Sequence, residues 1–306
     1  MPLSPNSRSA LFMVVSMAGF TANDAITKTM TGAMNAGQVM LVRGFFATAL
    51  IALLAWHQGA LRKPSHVLDR TLAVRTFCEV AATVSFLFAL AHLPLANVSA
   101  VLQALPLAVT MGAALVFGET VGWRRWLAIA AGFAGVTIIV RPGFEGFSAY
   151  SLLALLCVVF CAVRDLATRK IPTDIPTLLV STMTASAVAL SGALLVVPLG
   201  GWTPMTGGEV GALACAAMLL LVGYQFIILA MRSGDISFIA PFRYTALLWA
   251  ILLGYLVFGD VPDKAMIAGA AIVVGSGLYA LYRERIVGRT RPAAESTAPA
   301  MAPEGM

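Results

Sequence analysis

Charged side chains are scarce in this sequence: Asp, Glu, Lys and Arg make up 11% of its 306 residues, and hydrophobic residues make up 59%. A soluble domain averages about 25% charged and roughly 45–50% apolar residues. So little charge cannot cover a water-facing surface, which excludes an ordinary soluble enzyme or binding domain. The net charge of +6 does not indicate nucleic-acid binding, because no basic soluble segment carries it.

Residues and motifs typical of catalytic and metal sites are also scarce. The four cysteines fall in apolar stretches without a CxxC pair, and the three histidines lack metal-ligand spacing. Neither a G-x-S-x-G serine motif nor a Walker A phosphate-binding motif occurs. We therefore expect no enzymatic activity, no metal, no cofactor and no ATP-driven step.

Long hydrophobic runs are what the sequence does contain. Ten of them reach about 20 residues, the length that an α-helix needs to cross roughly 30 Å of hydrocarbon. They cover residues 10–30, 37–57, 70–92, 95–117, 124–141, 148–170, 176–198, 206–231, 236–258 and 264–283. The sequence predicts an all-α polytopic membrane protein with ten transmembrane helices and a disordered tail, 286–306.

Lysine and arginine are distributed unequally between the two sides of these spans. If the N-terminus is cytoplasmic, the basic residues at cytoplasmic positions are Arg8, Arg62, Lys63, Arg70, Arg124, Arg125, Arg169, Lys170, Arg232, Arg283, Arg285, Arg289 and Arg291. Those at the opposite ends are Lys28, Arg141 and Lys264. Cytoplasmic loops are enriched in Lys and Arg, so both termini are predicted to be cytoplasmic.

Parts of the sequence recur at a spacing of 141 residues. The recurring pairs are VFGE (116–119) with VFGD (257–260), Asp24 with Asp165, Thr27 with Thr168, and Lys28 with Arg169. Each half then holds five spans, and because five is odd the second half enters the membrane from the opposite side. We predict two inverted five-helix repeats, 1–143 and 144–285, a design common in secondary transporters.

The stretch FALAHLPLANVSAVLQALPLAVTMGAALVFGE, 88–119, is similar to the repeat of the drug/metabolite transporter superfamily, EamA-type branch. The resembling features are Ala89-Leu90, Ser99-Ala100, Pro106 and Gly118-Glu119, and residues 233–262 look like a second copy with Leu247 in place of Pro106. Arg43 and Lys28 match basic residues that the family often carries in its first two helices. The resemblance spans residues 10–283. It implies a ten-helix monomer of the bacterial inner membrane that transports small metabolites, with amino-acid exporters as well-known bacterial members.

Several charged or amide side chains fall inside the predicted spans, where they are costly and are functional candidates. Toward the outer end these are Asn23, Asp24 and Arg43, and toward the inner end they are Arg75, Glu79, Arg164, Asp165 and Arg243. Two such groups around an apolar middle predict two gates. Structural ion pairs that lock the helices together are an equally open interpretation.

Polar and aromatic residues near the middle of core helices are predicted to line a cavity. They are Ser85, Phe86, Gln103, Tyr224, Gln225, Tyr244 and Trp249. Gln and Tyr can hydrogen-bond a polar ligand while aromatic faces pack against apolar groups. Ordinary packing and interhelical hydrogen bonds are the alternatives. Pro106 is expected to act as a hinge in the fourth span or to form a static kink.

The expected function is secondary transport, with export of amino acids or similar small amphipathic metabolites by alternating access. The alternative is import of a larger metabolite such as a vitamin or nucleoside derivative, suggested by APFRYT, 240–245. The expected partners are a small-molecule substrate and the lipid bilayer, with no nucleic acid, and the protein is expected to be a monomer.

Overall fold

The computed structural model describes residues 5–57, 70–119, 121–142, 147–171, 175–233 and 236–286. Within these ranges the chain forms helices, and no strand is assigned. The helices are α1 (Pro5–Ala33), α2 (Ala36–His57), α3 (Arg70–His92), α4 (Leu95–Leu102), α5 (Leu105–Phe117), α6 (Trp123–Val140), α7 (Tyr150–Thr168), α8 (Thr177–Val196), α9 (Gly207–Ser233), α10 (Ile236–Ile239), α11 (Thr245–Phe258) and α12 (Lys264–Ile286). A 3-10 segment, Ala240–Tyr244, joins α10 to α11.

In the described part of the chain, ten helical stretches are long and apolar enough to cross a membrane. The predicted all-α polytopic architecture is therefore confirmed. The fourth span contains α4 and α5, and the ninth contains α10, the 3-10 segment and α11. Span ends agree with the prediction within a few residues. The exception is α1, which begins at Pro5 because the polar residues before Ala10 continue the helix.

Pro106 lies where the fourth span is broken. α4 ends at Leu102 and α5 begins at Leu105, with Pro106 in the first turn of α5. Proline has no N–H, so the α-helical hydrogen bond back to Leu102 cannot form. The Ala104 N–H instead donates to the Val101 carbonyl at 3.1 Å, a three-residue spacing. The bend thus follows from the sequence; whether it acts as a hinge stays a prediction.

The ninth span changes its helical form at an equivalent point. The 3-10 segment ends at Tyr244 and α11 begins at Thr245. The spacing of 141 places these two residues opposite Gln103 and Ala104, which lie between α4 and α5. Both halves therefore interrupt the same span at the same place, with Pro106 just after the interruption in one half and Pro241 just before it in the other.

The two halves of the chain are interlaced rather than side by side. α1 packs on α9, α3 on α7, α2 on α8, α6 on α12, and α4 on α11. The spacing of 141 makes α1 equivalent to α7, α2 to α8, α3 to α9 and α6 to α12. Exchanging equivalent helices converts the α1–α9 pair into the α7–α3 pair and leaves the α2–α8 and α6–α12 pairs unchanged. An approximate two-fold relation between the halves therefore organises the packing.

Contacts along α3 show that equivalent helices run in opposite directions. Lys28, late in α1, donates to the carbonyl of Leu90, late in α3, so these two helices end on the same side. Arg75, early in α3, donates to Thr168, the last residue of α7. Arg75 and Leu90 are separated by about 22 Å along the helix axis. The inverted repeat is thus confirmed, and its two sides are called the Lys28 end and the Arg169 end.

Glycines allow the closest helix contacts within the chain. A Cβ added at Gly135 of α6 would lie 2.8 Å from the Gly269 carbonyl of α12, and one at Gly269 would lie 2.7 Å from the Gly135 carbonyl. Gly37 of α2 is equally close to the α8 backbone. Larger residues would push these helices apart, so these glycines serve helix packing within the chain.

Some predicted features lie outside the described residues. They are Arg62, Lys63, Arg289 and Arg291, which contributed to the predicted orientation, and the tail beyond Ile286.

Candidate functional site

A cluster of aromatic side chains occupies the contact between α1, α9 and the ninth span. Tyr224 of α9 is buried, and its ring meets that of Phe20 edge to face, with centroids 5.0 Å apart. Phe242 and Trp249 pack against the same apolar group. These four residues are called the central aromatic cluster. They offer ring faces and a hydroxyl in an otherwise apolar region.

The Asp24 group consists of Asn23, Asp24, Thr27 and Arg43. The Arg43 Nη1 donates to Asn23 Oδ1 at 3.3 Å and to Thr27 Oγ1 at 3.2 Å. Asn23 Nδ2 in turn donates to Asp24 Oδ1 at 2.9 Å. The structure thus brings together the three outer residues that were singled out from the sequence, but the link between the Asp24 and Arg43 charges passes through the Asn23 amide.

The Asp165 group, on α3, α7 and α8, is tied by direct ion pairs. Arg164 Nη2 lies 2.7 Å from Asp165 Oδ1, and Arg164 Nη1 lies 3.1 Å from Glu79 Oε2. The side chains of Arg164 and Asp165 are only 6% and 3% exposed. Asp165 Oδ2 is buried without a hydrogen-bond partner in the described structure. A buried carboxylate of this kind depends on its arginine for charge compensation.

Arg75 extends this group to two threonines. Its Nε donates to Thr168 Oγ1 at 3.0 Å and its Nη1 to Thr184 Oγ1 at 2.6 Å. Arg243 lies near enough for its charge to act on Asp165. All five inner residues singled out from the sequence therefore belong to or act on one group. Thr184 was missed, although the spacing of 141 makes it the counterpart of Arg43.

Tyr224 lies within electrostatic range of both charged groups. Arg43 of the Asp24 group and Arg75, Arg164 and Glu79 of the Asp165 group are all near enough for their charges to act on its hydroxyl. The central aromatic cluster therefore lies within electrostatic range of arginines from both groups.

At the Lys28 end, the Lys28 side chain connects α1 to other helices. Lys28 Nζ donates to the carbonyls of Leu90 at 2.8 Å and Leu93 at 2.6 Å. It also lies 5.4 Å from the centre of the Phe258 ring, with the Asp260 charge acting on it. This arrangement connects α1 to the ends of α3 and α11.

At the Arg169 end, an equivalent connection joins α7 to α5. Arg169 Nη1 lies 3.1 Å from Glu119 Oε1, and Lys170 Nζ lies 5.1 Å from the centre of the Phe117 ring. The spacing of 141 places Phe117 opposite Phe258 of the Lys28 end and Glu119 opposite Asp260. The repeated sequence thus builds one basic–aromatic–acidic set at each end.

The remaining predicted cavity residues are not all gathered at the central aromatic cluster. Gln103 follows α4 at the break in the fourth span, and the Tyr244 hydroxyl points to Gly277 of α12. Gln225 is exposed on the same face of α9 as Met218 and Val222.

Ser85 and Phe86 lie side by side in α3. Ser85 is buried, whereas Phe86 is partly buried and packs against apolar residues from both halves.

In the ranges that the structure describes, no set of three His, Cys, Asp or Glu side chains is arranged to hold a metal ion. Cys157 and Cys161, one turn apart in α7, are free thiols with their sulfurs 3.9 Å apart.

Comparisons with known proteins identify the family. Residues 7–141 match the EamA-like transporter family. The riboflavin transporter of Vibrio cholerae serotype O1 is 34% identical over 205 residues, covering 66% of this chain and 67% of that protein. The S-adenosylmethionine uptake transporter of Rickettsia felis is 24% identical, covering 90% and 92% of the two chains. The pseudopaline exporter CntI of Pseudomonas aeruginosa is 27% identical, covering 86% and 92%. The chain belongs to the EamA-like transporter family.

Proposed function

We propose that this inner-membrane transporter carries a metabolite that joins a planar aromatic ring to a polar chain, in the direction of uptake. The observation that carries the proposal is the position of Tyr224. Its ring belongs to the central aromatic cluster, and the charges of arginines from both groups act on its hydroxyl. Aromatic faces stack on a planar ring, and guanidinium groups donate hydrogen bonds to carbonyl or carboxylate oxygens.

Two of the relatives support this substrate class. One is named a riboflavin transporter and another an S-adenosylmethionine uptake transporter. Both compounds combine a flat heteroaromatic ring with a flexible polar chain. A site that stacks on a planar ring and donates hydrogen bonds to a polar chain suits either compound.

The mechanism that we propose is alternating access between the Lys28 end and the Arg169 end, with both termini cytoplasmic. Inverted repeats form two equivalent halves that can open in turn around a central site. At one end, the hydrogen bonds from Lys28 to backbone carbonyls join different spans. At the other end, the Arg169–Glu119 pair does the same. Opening either end requires these bonds to break, so they act as gates. The Asp24 group lies between the Lys28 gate and Tyr224 and adjusts as that end opens.

Export of amino acids or similar small amphipathic metabolites is the second candidate. The likeness to the pseudopaline exporter favours this direction. The same arginines would then bind a substrate carboxylate, and the central aromatic cluster would pack against the apolar part of the substrate.

Transport in proteoliposomes tests both candidates. Labelled riboflavin, S-adenosylmethionine and a mixture of amino acids are supplied on either side of a protein of known orientation. We expect saturable riboflavin or S-adenosylmethionine flux, and Tyr224→Leu should lower it by about tenfold through lost stacking. Gln225→Ala, on the exposed face of the same helix, is the control. Flux of amino acids alone would overturn the first candidate in favour of the second.

A further inference from the structure

A groove separates α6 from α12 near the start of α6. Its volume is about 540 Å³, and its lining includes Trp123, Arg124, Leu127, Ile272, Gly275 and Tyr279. These two helices pack mainly on each other, at the edge of the bundle, so the groove is separate from the central aromatic cluster.

The groove lies beside the closest backbone contact between the two helices. Gly135 and Gly269 bring their backbones together, as described above. At Gly275 an added Cβ would meet nothing within 4 Å, so the space beside it is open. From Trp123 to Ala131 the groove follows α6 for about 12 Å, the length of part of an acyl chain.

The open end of the groove carries the residues of a membrane–water interface. Trp123 and Arg124 form the first turn of α6, and the Arg124 guanidinium lies 5.2 Å from the centre of the Trp123 ring. Tyr279 faces the same space from α12 and is 42% exposed. Trp and Tyr are enriched at the level of lipid headgroups.

The positive charge at the open end of the groove comes from Arg124. It is exposed, and among the described residues no carboxylate pairs with it. Deeper along the groove, Leu127 and Ile272 are apolar and 59% and 38% exposed. A cation at the mouth of an apolar groove is complementary to a phosphate with a hydrocarbon chain behind it.

We propose that this groove is a site for an anionic glycerophospholipid. The phosphate lies on the Arg124 guanidinium beside Trp123 and Tyr279, and one acyl chain follows Leu127, Ile272 and Gly275. The bound lipid fills the space between the two edge helices and holds them at their present separation.

Native mass spectrometry of the purified protein tests the site, with phosphatidylglycerol and phosphatidylcholine added at equal concentration. We expect a preference for phosphatidylglycerol. Arg124→Gln should weaken phosphatidylglycerol binding by about tenfold and abolish the preference, because a charge-assisted hydrogen bond is lost. Gly275→Leu should abolish retention of both lipids by filling the groove.

Two variants control for general effects on the detergent-solubilised protein. Arg232→Gln removes an exposed arginine at the end of α9, and Gly211→Leu fills similarly open space on α9. Both should bind lipid as the wild type does. Unchanged lipid retention in Gly275→Leu would overturn the proposal. So would a wild-type dimer that Gly275→Leu converts to monomer without a change in bound lipid, since the groove would then hold a second copy.

Discussion

The Asp24 and Asp165 groups occupy equivalent positions in the two repeats, but they are bonded differently. In the Asp165 group, Arg164 contacts its two carboxylates directly at 2.7 and 3.1 Å. In the Asp24 group, Arg43 reaches the carboxylate only through Asn23. The two repeats therefore share the position of the carboxylate but differ in the residue that it bonds to. We infer that one group holds helices together and that the other is free to rearrange.

The arginines explain how the two groups diverged. The counterpart of Arg43 is Thr184, which cannot neutralise a carboxylate. Arg75, supplied by α3 of the first repeat, donates to Thr184 and Thr168 instead. The Asp165 group thus joins three helices from both repeats, and the Asp24 group joins α1 to α2.

The largest difference is expected when the central arginine of each group is removed. Arg164→Gln leaves the buried Asp165 and the partly buried Glu79 without their partner and should lower the free energy of unfolding by about 3–5 kcal/mol. Arg43→Gln loses two hydrogen bonds to neutral groups and should cost about 1–2 kcal/mol. Thermal unfolding of the purified variants measures both, with Arg232→Gln as the control. Equal losses for Arg164→Gln and Arg43→Gln would show that the two groups are energetically alike.

The same substitution at the two equivalent carboxylates should separate stability from transport. Asp165→Asn weakens a buried ion pair and should cost about 1.5–3 kcal/mol. Asp24→Asn keeps the acceptor oxygen for Asn23, so the melting temperature should change little while flux falls several-fold. Melting and flux are measured together on each variant. If Asp24→Asn loses folded protein in step with flux, the Asp24 group is structural, and if it retains full flux, the gating role is wrong.

Charge exchange at the two ends is expected to have a smaller effect on stability. Arg169 and Glu119 are partly exposed, so removing their ion pair should cost about 0.5 kcal/mol. Flux should fall in Arg169→Glu and recover when Glu119→Arg is added, because the pair is direct. At the other end, Lys28→Asp combined with Asp260→Lys should not recover flux, since Lys28 donates to backbone carbonyls. Recovery at both ends would mean that Lys28 also acts through Asp260.

Much of this fold is predictable from the sequence. Hydrophobic runs locate all ten spans because the bilayer requires a length, and that requirement does not depend on tertiary contacts. The VFGE and VFGD segments reveal the repeat, and an odd number of spans in each half gives its inversion.

The site is less predictable, because depth along a span does not give the direction of a side chain. Gln225 and Tyr224 are neighbours at one depth, yet the first is exposed and the second is buried. Tyr244 reaches Gly277 because that glycine leaves room, a fact that only the packing reveals. Phe20 was not singled out, since an aromatic residue in an apolar run carries no signal of its own.

The smallest expected effect concerns the caps of the two edge helices. Asp263 caps α12: its Oδ1 accepts the Met266 N–H at 2.7 Å and also pairs with Arg141. The equivalent position before α6 is Gly122, which has no side chain to cap with. The Met266 N–H, helped by Arg141, lowers the pKa of Asp263 below its usual value near 4.

Because the carboxylate form is favoured in the folded protein, this cap stabilises at neutral pH and is lost as the pH falls through the lowered pKa. Asp263→Ala should therefore cost about 0.5–1 kcal/mol at pH 7, and the difference from wild type should shrink below about pH 4. Gly122→Asp should add a few tenths of a kcal/mol at pH 7, roughly the value of an added cap. Melting temperatures between pH 3 and pH 7 measure both variants. A gap between wild type and Asp263→Ala that stays constant down to pH 3 would show that packing, rather than the ionised cap, sets the contribution of Asp263. The caps would then not distinguish the two edge helices.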